Sequence, residues 1–443
     1  MSTINALVSA WAIVAAAIVI LRWRAERGVG LVVAFVLSLT SLHWLAAVLY
    51  VLPWYEEALD PVDVTVGLEI ALVGLVGFGV GVSIASRAVR RRGTEMRAPW
   101  YLAGASLGLW YVAVGVVLYV LALAGLRRVS SIGGLASAGS SAAVFGLCLL
   151  IWHARPSRRL LWLALAGLLP IVTIVTQGYL SYGIAALVMV AAFVAEWHKP
   201  RWSLVAVGLI LTYVAMSFYV TYMRDRREIR EAVWGGAAAG ERLDVVTGTL
   251  TSIELFDPFN DAHLARVDNR LNQNYLVGRA AAWLDNGFVP YGQGRTLVDA
   301  ALAMVPRALW PEKDVSAGSG DLVSYYTGME FDEDTSVGIG SVMEFYVNFG
   351  VPGVFGGFLL LGVLVLVFDE RAGAHLRNGD VRAACLWYLP GISLLQVGGS
   401  LVDVTATMAA GFAGAVLTNT AIGALGRFKA VETLLPDVVE VES

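Results

Sequence analysis

The chain has 443 residues, 58% of them hydrophobic and only 15% charged, with a mean hydropathy of +0.69. Soluble domains carry about 25% charged residues, so a water-soluble enzyme is excluded and nucleic acid is not expected as a partner. The formal net charge of −4 says less than where the charges sit.

Apolar runs long enough to cross about 30 Å of hydrocarbon as helix recur along the chain. They fall at 4–21, 29–52, 65–86, 100–124, 135–152, 160–177, 180–195, 202–222, 338–368, 383–400 and 404–425. The pattern predicts an all-α polytopic membrane protein with about 11 transmembrane helices and one large extracytoplasmic loop. The first run lacks a basic leader and an Ala-x-Ala site, and reads as a retained helix rather than a signal peptide. Cys148 and Cys385 both lie inside apolar runs and read as small buried hydrophobes, not as a disulfide or a metal pair.

Lys and Arg set the orientation. One set of alternate loops carries Arg22, Arg24, Arg27, Arg87, Arg90, Arg91, Arg92, Arg97, Arg155, Arg158, Arg159, Lys199, Arg201, Arg371, Arg377 and Arg382, and the tail adds Arg427 and Lys429. The opposite short loops hold only Arg127 and Arg128. This places the amino terminus outside and the carboxyl terminus in the cytoplasm. The organisation follows: helices one to eight in 1–222, an extracytoplasmic loop in 223–337, helices nine to eleven in 338–426, and a cytoplasmic tail in 427–443.

The loop begins at 224–254 with Gly, Ala and mixed charge, read as a surface helix or a mobile connector. Within 296–310, Leu297, Val298, Ala301, Met304 and Val305 recur at helical spacing and Pro306 ends the run. An amphipathic helix on the membrane surface fits that pattern. The acidic run 330–334 reads as a solvated face; no metal is expected. Polar groups within the spans gather toward the outer ends, at Glu69, Gln177, Glu344, Gln396 and Asp403, with His43 near mid-depth. A cavity opening outward beneath the loop accounts for that bias.

The stretch 279–313 places Arg279, Arg295, Arg307 and Lys313 among aromatics and glycines. Arginine suits a pyrophosphate-linked lipid because its guanidinium stays charged and donates in a bidentate fork. Arg270 joins this set of candidates. Salt bridges to the loop's own acids are the competing explanation for each of them. Trp283, Tyr291 and Trp310 suit sugar stacking or interfacial anchoring equally. Glu344 and His263 are candidates for a general base, and Glu344 serves equally as an orienting group.

Three features in order carry a family resemblance. Arg279 precedes the Gly-rich turn Pro290-Tyr-Gly-Gln-Gly294. Val305-Pro-Arg-Ala-Leu-Trp-Pro-Glu-Lys313 follows, with Asp314 where the family has proline. Glu344-Phe-Tyr-Val-Asn-Phe-Gly-Val-Pro-Gly353 then opens a span. Together they resemble the Wzy-type O-antigen and oligosaccharide repeat-unit polymerases; elsewhere only the many-helix plan agrees. The resemblance implies a GT-C-like membrane glycosyltransferase of the inner membrane, with its site facing the periplasm. Such an enzyme moves a growing glycan from a polyprenyl-pyrophosphate carrier onto a lipid-linked oligosaccharide repeat unit. A chain-length regulator is then a candidate partner, the lipid bilayer is the medium, and no cofactor is needed. Arg279, Arg307 and Glu344 are the expected catalytic residues. Arg270, Arg295, Lys313, Tyr291, Asn348 and His263 are the expected substrate contacts. An O-antigen ligase-type transferase and a flippase of lipid-linked glycan are the alternatives.

Overall fold

The computed structural model describes residues 3–25, 27–90, 104–124, 132–197, 202–331 (without 308, 311, 314 and 316–318) and 337–432. The acids 332–334, the loop cations Arg91, Arg92, Arg97, Arg127, Arg128, Lys199 and Arg201, and the tail beyond Glu432 lie outside the described residues. Helix makes up 81% of the described residues, and no strand occurs among them.

The first group of helices is α1 (Thr3–Ala25), α2 (Leu31–Ala47) with a 3-10 turn at Val48–Val51, α3 (Pro61–Arg90), α4 (Gly104–Leu123) and α5 (Ile132–His153). It continues with α6 (Pro156–Gly167), α7 (Leu169–Gln177), α8 (Ser181–Trp197) and α9 (Trp202–Trp234). A layer of shorter helices follows: α10 (Ala239–Thr251), α11 (Asp261–Leu271), α12 (Gln273–Asp285), α13 (Arg295–Ala303) and α14 (Ser319–Thr327). The chain closes with α15 (Ser341–Arg377), α16 (Val381–Ser393) and α17 (Leu401–Glu432).

Each of the eleven predicted runs contains helix among the described residues. Among the described residues, 7 helical segments are long and apolar enough to cross a bilayer, so this is a multi-pass α-helical membrane protein. Three predicted runs are interrupted, the ninth at Phe349 and Gly350. The sixth divides at Leu168, where Pro170 opens a new helix and cannot donate to the preceding turn. The tenth is helical for only 13 residues, a rise of about 20 Å. Its continuation is irregular chain buried by protein, with Ser400 0% exposed and the Val397 carbonyl accepting from the Ser341 amide at 2.9 Å. Irregular backbone at membrane depth is tolerated only where protein covers it.

The core is centred on α3 and α15, which approach backbone to backbone. A Cβ on Gly81 would fall 2.1 Å from the Leu359 carbonyl, and one on Gly362 would fall 2.3 Å from the Phe78 carbonyl. Gly77 and Gly81 supply the small-xxx-small spacing that permits this approach. Phe35 stacks on Phe78 at 4.3 Å and meets Phe358 edge-on, filling the space beside the contact.

At the end of the bundle away from the short-helix layer lies a buried ionic clamp. Arg22 of α1 donates from Nε to Asp369 at 3.1 Å and from Nη1 to Glu370 at 2.7 Å, both on α15. Asp369 also accepts from the amides of Val29 and Leu31 at the start of α2, and Glu196 of α8 accepts from Gly28. Four helices therefore converge on one arginine that is 3% exposed.

The short helices are fastened to the bundle rather than hung from it. Helix α9 runs through position 222 without interruption, and α10 and α11 pack on its extension around Val233, Val246, Leu264 and Val267. Helix α12 lies so close to α3 that a Cβ on Gly278 would meet the Asp63 carbonyl at 1.9 Å. His43 of α2 bonds Asn274 of α12 at 2.8 Å. Asp268 of α11, 0% exposed, accepts from Tyr50 at 2.7 Å, Tyr55 at 2.6 Å and Asn272 at 2.7 Å. Replacing Asp268 with alanine strands these donors, at about 1–3 kcal/mol for each one kept from water. A lowered thermal midpoint in detergent is the expected result, and Asp268→Asn should recover part of it.

Candidate functional site

The Gly-rich turn is held by the helix it faces. Gly292 donates to the Val347 carbonyl at 2.8 Å, and Gly294 donates to Asn348 Oδ1 at 2.9 Å. Asn348 Nδ2 in turn donates to Thr296 Oγ1 at 2.8 Å and to the Glu344 carbonyl at 2.7 Å. Asn348 is 1% exposed, so it clamps the turn and the start of α13 onto α15. The clamp presents Tyr291 beside Tyr346, with ring centroids 6.5 Å apart, and places exposed Arg295 at the first position of α13.

Glu344 sits one turn before Asn348 and is 0% exposed. Its Oε2 accepts from the Leu401 amide at 2.6 Å, the first residue of α17, where a carboxylate satisfies an orphan donor and complements the helix dipole. Its Oε1 is buried and has no hydrogen-bond partner among the described residues. Glu344→Gln keeps the acceptor for Leu401 and should leave the protein level unchanged. Glu344→Ala removes it and should cost about 1–3 kcal/mol, read as a fall in thermal midpoint.

The Pro-Arg-Ala-Leu-Trp-Pro-Glu-Lys stretch folds back on α13. That helix ends at Ala303, earlier than the predicted 296–310, and packs on protein through Thr296, Ala300 and Ala303. Val298 and Met304 are exposed, as are Leu309 and Trp310 just beyond. Lys313, 8% exposed, donates to the carbonyls of Ala303 at 3.2 Å, Leu302 at 3.4 Å and Val305. The Ala303 carbonyl, at the last residue of α13, is one that a helix terminus leaves unsatisfied. Burial, and after it the nearby Arg307 charge, lowers the Lys313 pKa. Arg307 closes the loop through Nη2 to the Val315 carbonyl at 2.6 Å and Nη1 to the Lys313 carbonyl at 3.4 Å. A guanidinium has five N–H donors, so exposed Arg307 retains capacity for an anion, whereas the Lys313 ammonium is committed.

Arg279 of α12 is half-buried; its Nε is enclosed without a hydrogen-bond partner among the described residues, and its guanidinium lies 5.9 Å from the Trp283 ring. Arg279, Tyr291, Arg295, Arg307, Lys313, Glu344 and Asn348 thus share the contiguous α12–α13–α15–α17 region.

His263 and Arg270 belong to α11, which packs on α9. His263 Nδ1 accepts from the Asp257 amide at 3.1 Å, and Nε2 faces Glu254 at 3.3 Å. With Nδ1 as an acceptor, the ring carries its proton on Nε2, which suits a structural bond better than proton abstraction. Arg224 and Arg266 also engage Glu254. Hydrogen bonding to Arg224 leads the effects that lower the Glu254 pKa.

Sequence reasoning missed the partners of Arg270. Tyr222, Arg226, Arg230 and Trp234 form one face of α9, and the Arg230 guanidinium lies 5.1 Å from Tyr179 and 4.7 Å from Trp234. Burial, then the charges of Arg270 and Arg230, lower the Arg226 pKa. The Tyr219 hydroxyl beside them is buried without a partner among the described residues. The signal was in the spacing. Arginines four apart with aromatics rather than acids at the next turns form a like-charge pair, which is unfavourable unless something anionic offsets it.

The fold and these side chains define a multi-pass α-helical membrane protein with two arginine-bearing regions in its short-helix layer. No family model, curated protein or solved structure matches the chain.

Proposed function

We propose that the protein is a GT-C-like polysaccharide polymerase of the inner membrane, acting at the periplasmic face on polyprenyl-pyrophosphate-linked oligosaccharide. One observation carries the anionic-substrate part of this reading. Arg226, Arg230, Arg270, Arg279 and Arg295 form no ion pair among the described residues, although the layer around them is rich in acids. The competing salt-bridge explanation applies to Arg224, Arg227 and Arg266; of the five, Arg279 has the Asp63 carboxylate within electrostatic reach but does not pair with it. The order of the three sequence motifs supplies the polymerase part.

In the proposed reaction, a hydroxyl of the acceptor repeat unit attacks the anomeric carbon of the donor glycan. The new glycosidic bond forms as the bond to the pyrophosphate breaks, the hydroxyl proton passes to water, and the pyrophosphate leaves with the electron pair. Charge grows on that leaving group, so guanidinium donors stabilise the transition state more than the ground state. Arg279, Arg295 and Arg307 serve this step from one region. Glu344 acts by seating the start of α17 against the turn, and Asn348 positions Tyr291 and Arg295.

Purified protein in liposomes, supplied with the lipid-linked repeat unit of its own host, should release polyprenyl pyrophosphate and lengthen the glycan. Glu344→Ala, which loses the acceptor for Leu401, should lower that rate at least about tenfold, or 1.4 kcal/mol, and Glu344→Gln, which keeps it, should recover most of the rate. Absence of release by the intact protein would refute the proposal.

A further inference from the structure

Helix α15 is broken near its start. Phe349 has φ −141 and ψ 16, and Gly350 has φ 62 and ψ −154, a region open essentially to glycine alone. Pro352 two residues later lacks the amide that would bond the Asn348 carbonyl. From Val351 to Glu370 the helix rises about 30 Å, the thickness of the hydrocarbon core. With the Arg22–Asp369–Glu370 clamp at one boundary, the break stands at the other. Glu69 supports this height. Gly77 on α3 is level with Phe355 of α15, so Glu69, two turns earlier, stands just above the break, and it is exposed.

At the break lies a shallow, open cleft of about 450 Å³, lined by Tyr291, Tyr346, Phe349, Gly350, Val351 and Pro352. Tyr291 and Phe349 are open to it, 39% and 51% exposed. The Tyr291 hydroxyl would lie 3.8 Å from a Cβ on Gly350. The walls are fixed before any ligand arrives: the turn carrying Tyr291 is bonded to Val347 and Asn348, and Tyr346 is 6% exposed.

We propose that this cleft is a sugar subsite, holding a ring of the lipid-linked glycan next to its carrier at the hydrocarbon boundary. The proposal rests on the polymerase reading for the glycan's role, but the recognition chemistry is independent of it. A pyranose has apolar C–H faces and a polar rim, and it is matched by aromatic faces that carry hydroxyls at their edge. An isoprenoid chain needs no hydroxyls and would run below the break, along the lipid-facing part of α15 where Leu360 is 56% exposed.

The test places the photoreactive residue p-benzoylphenylalanine at Phe349, and in a second variant at Tyr291, in the full-length protein in its native host membrane. The same probe at Leu360 is the control. After irradiation and digestion, peptides from the two cleft positions should carry adducts whose masses are multiples of sugar residues, in excess over the Leu360 peptide. Adducts of isoprenoid or phospholipid mass alone, or no adduct, would overturn the subsite. Sugar adducts in a host whose glycan profile is unchanged by deletion of the protein would overturn the polymerase reading and leave the subsite standing. Loss of polymer on deletion without sugar adducts would do the reverse.

Discussion

Arg22→Ala should cost about 3–5 kcal/mol of stability, the penalty for leaving buried carboxylates without their counter-charge. Asp369 and Glu370 both bond this one guanidinium, and their side chains are 0% and 5% exposed. Asp369 would keep the amides of Val29 and Leu31, but Glu370 would keep no partner in the clamp. The expected readout is a large fall in thermal midpoint in detergent, with loss of protein from the membrane. Adding Glu370→Gln to Arg22→Ala removes one uncompensated charge and should restore part of the midpoint, giving a coupling energy by double-mutant cycle. A single variant as stable as the parent would mean that the clamp does not hold the helices together.

Arg279→Ala should reduce glycan transfer by about 10²–10³-fold, the scale seen when one donor to a developing anion is removed. Stability should change little. The side chain forms no ion pair among the described residues, and its contact over Trp283 is worth about 0.5–1 kcal/mol. Arg279→Lys keeps the charge and loses the planar fork, so it should recover only a small part of the rate. Normal membrane levels with no polymer is the predicted pattern; full activity in Arg279→Ala would remove this residue from the site.

The helices were legible in the sequence because apolar runs of spanning length leave the backbone few alternatives. Their interruptions were harder to see. The break in α15 is written in Asn-Phe-Gly-Val-Pro, yet the apolar run continues through it, so hydropathy alone gives one unbroken span. The clamp was missed for a different reason. Arg22 reads as one more topology-setting cation, and its carboxylate partners Asp369 and Glu370 lie far from it in sequence. Only the fold brings together positions 22, 196 and 369. In the candidate site, sequence marked Asn348 and Lys313 as ligand contacts. The structure gives both backbone partners, so a polar motif residue can be retained to hold a turn or close a helix. Arg226 and Arg230 went unremarked inside a mixed-charge stretch because the acids that neutralise Arg224 and Arg227 lie on other faces of the same helix.

The central claim is that this protein lengthens a lipid-linked glycan. The most direct measurement is a gel profile of surface and carrier-linked glycans from a deletion strain, complemented with the parent or with Arg279→Ala. Single repeat units on the carrier or on the surface glycolipid, with no ladder, in both the deletion strain and the Arg279→Ala strain are predicted, and the ladder should return with the parent. Long glycan stranded on the carrier would contradict polymerisation and indicate ligation, and an unchanged ladder in the deletion strain would contradict the account altogether.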